Sequence, residues 1–362
     1  MDDEGRLRVA ILGAGSIALA SAALLASLGH VPILWSPSGA GTAALRDAPL
    51  QATGALDHTG AVAIADDCGQ AVAGADAVLV AVPANAYRLV LDALAAELSP
   101  GQPVLISGHL SFAALYLDRA LAARGITAPI VAWGTTIVSG RRDGATGVRV
   151  SSVRAEVDIA TLPADAAATM AALCRHAFGD RFRLRDGLLA VALSNVNPQN
   201  HLAIALCNFT RIEHGETWLQ NSNITASVGR LMEALDAERL AAAAAFGLRV
   251  RTLRQHFHLS FHVPEAPLDE MASALVARGN DPAAPTSPIT RYVLEDAPFG
   301  LYPTALLARL CGHPATLHES GLALLSAMYG RDLTADNDIL PALDMQSMTR
   351  DRLRHLAAHG YR

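Results

Sequence analysis

The sequence predicts an α/β N-terminal domain built as a doubly wound sheet, followed by an all-α C-terminal domain. Three observations carry this. Short apolar runs that read as strands recur through the first half, alternating with helical stretches. The first of them, Leu7 to Leu12, ends in Gly13-Ala14-Gly15-Ser16-Ile17-Ala18 and opens straight into a helix. From Asp186 onward the pattern is almost entirely helical. The boundary is therefore drawn between residues 185 and 186, giving domains 1–185 and 186–362.

The opening reads as strand, Gly-x-Gly-x-x-Ala, helix to Leu28, Gly29, and strand Val31 to Trp35. In such a turn the first glycine permits the tight bend. The second lets the backbone approach a pyrophosphate, and a small third residue lets helix pack on strand. Helix-start amides then face the phosphates. This is the signature of a Rossmann-type dinucleotide site, and it nominates Gly13, Ala14, Gly15, Ser16 and Ile17 as cofactor contacts. At the end of the second strand stands Trp35-Ser36-Pro37-Ser38-Gly39, with no carboxylate to hold a ribose 2′-hydroxyl or repel a 2′-phosphate. Trp35, Ser36 and Ser38 join the cofactor set, Arg46 is near enough in sequence to contribute, and NADP(H) is favoured, with NAD(H) as the alternative.

Further units follow. Strands are expected at 61–65, 77–82, 104–107 and 129–133, then in 148–162 and 181–184, with helices to about Leu98 and Arg124. Ligand loops in such a sheet lie at the carboxyl ends of its strands. That nominates Val82-Pro83 for the cofactor, and Gly108-His109 and Gly134-Thr135-Thr136 beside it. His109 is a rival catalytic histidine or a plain loop residue.

Composition bounds the rest. Charged residues make up 17% of the 362 and hydrophobic ones 51%, the balance of an ordinary globular chain. A net charge of −6 gives no basic footprint for nucleic acid. Cys68, Cys174, Cys207 and Cys311 lie too far apart for a zinc knuckle or redox pair and read as buried thiols of a reducing, cytoplasmic setting. The acidic start does not read as a signal peptide. The charge-free span from Arg8 to Arg46 is long enough for a bilayer, but its glycines and prolines divide it into strand, helix and strand.

The helical half is organised around residues 188–215, read as one long apolar helix kinked at Pro198. Ser194, Asn197, His201 and Asn208 recur at steps of three, four and seven, so they share one wet stripe. Buried Asn and His need partners, which makes the stripe a ligand face or a set of satisfied core residues. Amphipathic helices are expected at 233–245, 267–278, 301–310, 318–329 and 349–359, the Ala-rich ones hinting at a homodimer. His256, His258 and His262 have metal-like spacing but no fourth ligand, so no metal is assigned. A second polar cluster, Thr290 to Pro303, places Arg291, Glu295 and Asp296 before a Pro298–Gly300 turn.

The Gly-x-Gly-x-x-Ala turn, Asn195-x-Asn197-Pro198-x-x-His201, and Arg291-Tyr-x-x-Glu-Asp296-x-Pro-x-Gly-Leu stand in an order that resembles the opine dehydrogenase family over most of the chain. The last two motifs are fairly specific; the first is shared by many folds. The resemblance implies a Rossmann domain, a helical domain and an active site between them. It also implies NAD(P)H-dependent reductive condensation of an amino acid with a 2-oxo acid. Carried across by motif, His201 is the acid/base residue, Asp296 its partner, and Arg291 a carboxylate ligand; Thr136 and Asn208 are added, apart from the motifs, as nearby donors that would help orient the acids. This suits the side chains: an imidazole exchanges protons near neutrality, and a carboxylate fixes its tautomer. Arginine binds carboxylates bidentately. The loops after 107 and 134 do not match the family pattern sharply, which leaves the oxo acid open. A ketopantoate-reductase-like or 3-hydroxy-acid dehydrogenase is the enzymatic alternative, disfavoured because such enzymes rely on a lysine and this chain has none. A non-catalytic NADP-sensing protein is the alternative of another class.

Overall fold

The computed structural model describes residues 5–361. The chain divides into two compact units, one running to Ala192 and resuming at Asp351, the other Leu193–Arg350. The last helix therefore belongs with the nucleotide-type unit, and the division falls a few residues beyond 185.

The first unit contains β1 (Arg8–Leu12), α1 (Ser16–Ser27), β2 (Val31–Trp35), β3 (Leu50–Gly54), β4 (His58–Gly60), β5 (Ala63–Ile64), α2 (Cys68–Val72), β6 (Ala77–Val80), α3 (Tyr87–Glu97), β7 (Val104–Ile106), α4 (Ala113–Ala123), β8 (Ile130–Trp133), β9 (Val138–Asp143), β10 (Gly147–Val153), β11 (Val157–Leu162), α5 (Ala167–Phe178) and β12 (Phe182–Leu184). An eight-stranded sheet runs β12-β11-β8-β7-β6-β1-β2-β5. Its pairs are parallel except β11 against β8. Strands such as Ala77–Val80 and Ile130–Trp133 are buried along their whole length, as parallel strands covered on both faces must be. Chain order reverses across β1, between β2 and β6, which puts the ligand crevice at the carboxyl ends of β1 and β6.

A second sheet, β4-β3-β10-β9, was not anticipated. Leu50, Ala52, Val138, Val148 and Val150 join the core that α1 forms with the main sheet, while alternate residues such as Gln51 and Arg149 face water. The expected strand at 61–65 shrinks to the two residues of β5.

In α6 (Leu188–Ser194), α7 (Asn197–Cys207) and α8 (Phe209–Glu213) the predicted single helix is replaced by three. Pro198 occupies the first turn of α7, where its missing N–H costs nothing, rather than a kink in mid-helix. The second unit continues with α9 (Ala226–Ala245), α10 (Leu253–Phe261), α11 (Leu268–Ala277), α12 (Arg291–Leu294), a π-helical turn at Ala297–Leu301, α13 (Tyr302–Leu310), α14 (Thr316–Tyr329) and α15 (Ile339–Ala342). They enclose a core of their own around Ile204, Met232, Leu235, Met271 and Leu325. α16 (Arg350–His359) closes the first unit, where the Tyr361 amide donates to Asp118 at 2.6 Å.

No helix among the described residues is long and apolar enough to cross a membrane. The thiols are free, but only Cys68 and Cys174 are buried; contrary to expectation Cys311 is half-buried and Cys207, the last residue of α7, is exposed.

Candidate active site and dinucleotide site

Asp296 sits just ahead of the π-helical turn, 1% exposed, and its Oδ2 lies 2.7 Å from Nδ1 of His201. His201 lies on α7, 8% exposed. With Nδ1 donating to the carboxylate, Nε2 is left with no protein partner among the described residues, available to a substrate. A π-helical turn inserts an extra residue into a helix and often marks a functional position. Here Pro298 accepts a hydrogen bond on its carbonyl from Asn337 at 2.8 Å, which latches the turn. Gly300 packs on Pro198 so closely that a Cβ there would lie 2.3 Å from the ring Cγ. The Pro of one motif and the Gly of the other are thus in contact, and that contact sets the spacing between the helices that bring His201 to Asp296.

The imidazole has a second neighbour that the sequence reading did not assign. The ring of Tyr292 stacks on His201 at 3.6 Å between centroids and 11° between planes. Tyr292 also hydrogen-bonds Oε1 of Gln220 through its hydroxyl. Its spacing from Asp296, i to i+4, was the available signal, because such residues lie on one helical face.

Arg291 opens α12 with its side chain 61% exposed, tethered to Glu295 at 3.1 Å. Asn208 does not extend a stripe from Ser194. It stands at the junction of α7 and α8, and its amide donates to the Ile204 carbonyl at 3.0 Å. Thr136 follows β8, and its hydroxyl donates to the Val138 carbonyl at 2.7 Å. His109 is buried, and desolvation pushes its pKa down to about 3. Its Nε2 accepts from the Ala114 amide at 3.3 Å, so it caps α4 as a neutral ring and is no acid/base candidate. His258 bonds the Val263 carbonyl at 2.7 Å, and no three metal-donor side chains cluster among the described residues. An open groove of about 610 Å³ between α13 and α14 contains neither His201 nor Asp296, and its Arg309 and Arg331 are paired with Glu319 and Asp336.

In the first unit, Gly13 has φ +141°, and a Cβ there would meet the Ala81 carbonyl oxygen at 2.3 Å. Only glycine fits between β1 and the Val82-Pro83 segment after β6. Gly15, the N-cap of α1, is the opposite case: it is exposed, and nothing lies within 4 Å of its would-be Cβ. It leaves open space before the unpaired amides of α1's first turn. The Gly13 amide donates to the Trp35 carbonyl at 2.7 Å, joining the turn to the end of β2. Trp35 and Ser36 are buried, and the Ser36 hydroxyl has no hydrogen-bond partner among the described residues, while Ser38 is exposed. Arg46 pairs with Asp66 at 2.5 Å and is not a free cation for the cofactor. An open turn, an orphaned buried hydroxyl and a carboxylate-free loop fit a nicotinamide dinucleotide.

Residues 184–329 match the family described as NAD/NADP octopine/nopaline dehydrogenase, alpha-helical domain. Residues 8–109 match the N-terminus of NAD-dependent glycerol-3-phosphate dehydrogenase. An opine dehydrogenase of Arthrobacter sp. (strain 1C) is 30% identical over 95% of this chain and 97% of its own length. Among solved structures, octopine dehydrogenase in complex with NADH and agmatine matches with a TM-score of 0.80 at 17% identity, over 97% of this chain and 98% of that one. An NADP+-bound yersinopine dehydrogenase matches with a TM-score of 0.72 at 16% identity, over 95% of this chain and 100% of that one.

Proposed function

The chain belongs to the opine dehydrogenase family, and on that premise we propose that His201, Asp296 and Arg291 carry the chemistry of an NAD(P)-dependent oxidoreductase acting on CH–NH bonds. The reaction condenses the amine of an amino acid with the carbonyl of a 2-oxo acid and reduces the resulting imine, or runs in reverse. The buried His201–Asp296 pair, at 2.7 Å, is the observation that carries the assignment of roles.

Arg291 holds a substrate carboxylate, a task its exposed guanidinium suits because only one side is spent on Glu295. Thr136 and Asn208 are secondary polar contacts, each already donating to a main-chain carbonyl. In the condensing direction His201 Nε2 accepts a proton from the incoming amine and returns it to the departing hydroxyl as water leaves the carbinolamine. Asp296 keeps Nδ1 protonated and balances the charge of the imidazolium. Stacking and hydrogen bonding hold the ring so that little reorganisation is needed. A bound dinucleotide supplies the hydride. Gly13, Ala14, Gly15, Ser16, Ile17, Trp35, Ser36, Ser38, Val82 and Pro83 hold it. NADP(H) is favoured over NAD(H), on the support of a β2 loop without a carboxylate. A homodimer is the working oligomer, supported by Leu317, Leu324 and Met328, exposed along one side of α14.

The test pairs several amino acids with pyruvate, 2-oxoglutarate and glyoxylate, using NADPH or NADH, and identifies the product by mass spectrometry. A secondary amine dicarboxylate is expected. A hydroxy acid formed without amine consumption would instead make the chain a keto-acid reductase, and cofactor binding without oxidation would make it a sensor.

A further inference from the structure

We propose that Arg142, on the strand β9 of the second sheet, is the residue that selects for a 2′-phosphate on the adenosine ribose of the cofactor. The proposal rests on the NADP(H) reading above and names the group that would enforce it.

Three observations on the first unit converge. The Nη1 of Arg142 donates to the Ala14 carbonyl at 2.6 Å and to the Gly41 carbonyl at 3.1 Å. Ala14 is the middle residue of the glycine turn, and Gly41 ends the loop that leaves β2, so one guanidinium bridges the two segments that flank an adenosine ribose in this kind of site. Gly41 is pressed onto Ala14, where a Cβ would stand 2.5 Å from the Ala14 methyl; the loop and the turn are one surface. At the start of the same loop the Ser36 side chain is more than nine-tenths buried, and its hydroxyl has no hydrogen-bond partner among the described residues, a donor that a ligand oxygen would satisfy.

Charge singles out Arg142. The rival arginine by sequence position, Arg46, is neutralised by Asp66. The hydrogen-bond partners of Arg142 are neutral carbonyls of Ala14, Gly41 and Ala145, and it forms no ion pair among the described residues. Its positive charge is therefore uncompensated, and it is exposed. No carboxylate lies between Ser36 and Arg46 to repel a phosphate. A guanidinium so placed adds affinity for a ligand bearing the extra phosphate and almost none for one lacking it.

The alternative is that Arg142 is only a clamp between loop and turn. The two roles separate in a binding measurement that needs no turnover: calorimetric titration of the full chain with 2′,5′-ADP and with 5′-AMP. For Arg142→Gln, affinity for 2′,5′-ADP is expected to fall about ten- to hundredfold while that for 5′-AMP changes less than about twofold. Arg142→Lys, which keeps the charge, is expected to retain most of the discrimination. Equal losses for the two nucleotides, or no loss for either, would overturn the assignment and leave a clamp. If the unaltered chain itself does not prefer 2′,5′-ADP, the NADP(H) reading fails before Arg142 is at issue. Should the Gln variant not fold, a Lys variant that loses the preference while keeping 5′-AMP binding would count against selection by charge.

Discussion

The imidazole of His201 lies flat against the phenol ring of Tyr292, centroids 3.6 Å apart and planes 11° from parallel, while Asp296 holds its Nδ1 edge. One face and one edge of the ring are therefore occupied by protein. Tyr292→Leu removes the stack, and kcat is expected to fall about tenfold or more with the KM for cofactor unchanged, because loss of orientation acts on the chemical step. Tyr292→Phe keeps the ring and loses the hydroxyl that bonds Gln220, so it is expected to retain most of kcat. A Leu variant with normal kcat would reduce Tyr292 to packing.

On the roles proposed for them, replacing His201 with Ala, or Asp296 with Asn, removes the proton carrier or its counter-charge. Turnover is expected to drop about 10²- to 10⁴-fold in each case, with NADPH binding retained. The double variant is expected to lose little more than His201→Ala alone, since the two act as a unit. Steady-state rates with a fluorescence titration of NADPH check both halves of this prediction, and normal turnover in either single variant removes that residue from the mechanism.

The two glycines of the turn are expected to fail differently. Gly13→Ala drives a methyl into the Ala81 carbonyl at a φ that side chains rarely adopt, so the chain should lose thermal stability and cofactor binding together. Gly15→Ala meets no protein atom, so its melting temperature should stay near that of the parent while cofactor affinity falls as the methyl occupies the approach to the amides. Thermal unfolding with and without NADPH separates the two; a Gly15→Ala chain that binds normally would show that the ligand keeps its distance there.

Burial gives a pH prediction. The folded pKa of His109 is about 3, against 6.5 for an ordinary histidine. Between those values the unfolded chain binds one more proton at this residue than the folded chain, so stability rises with pH across the window and falls as pH drops below about 6.5. His109→Gln can still accept from the Ala114 amide but cannot titrate. Urea midpoints measured from pH 7 to 5 are expected to fall less steeply for this variant; parallel slopes would mean that other groups govern the acid limb.

Much of this was legible in the sequence, for identifiable reasons. The glycine turn and the buried parallel strands announce themselves because tight turns admit few residues and two-sided burial admits few side chains. His201 and Asp296 carry chemistry in their residue types, and family motifs linked them across 95 positions. Pro198 was misread because a proline within an apolar period looks like a kink; only the break after Ser194 makes it a first-turn residue. The second sheet stayed hidden because Leu50–Gly54 and Val138–Asp143 bury only part of their residues and contain polar or charged ones, so they read as loop. Arg142 was lost with it.

The return of the chain to its first unit has a practical consequence for dissecting this protein. A piece cut off after Ala192 would lack α16, together with the Tyr361 amide that meets the buried carboxylate of Asp118 and the ring over which Arg119 lies at 5.8 Å. Such a truncate would misreport nucleotide affinity for reasons unrelated to the binding loop. A faithful minimal version would instead keep the segment from Asp351 onward together with the residues up to Ala192.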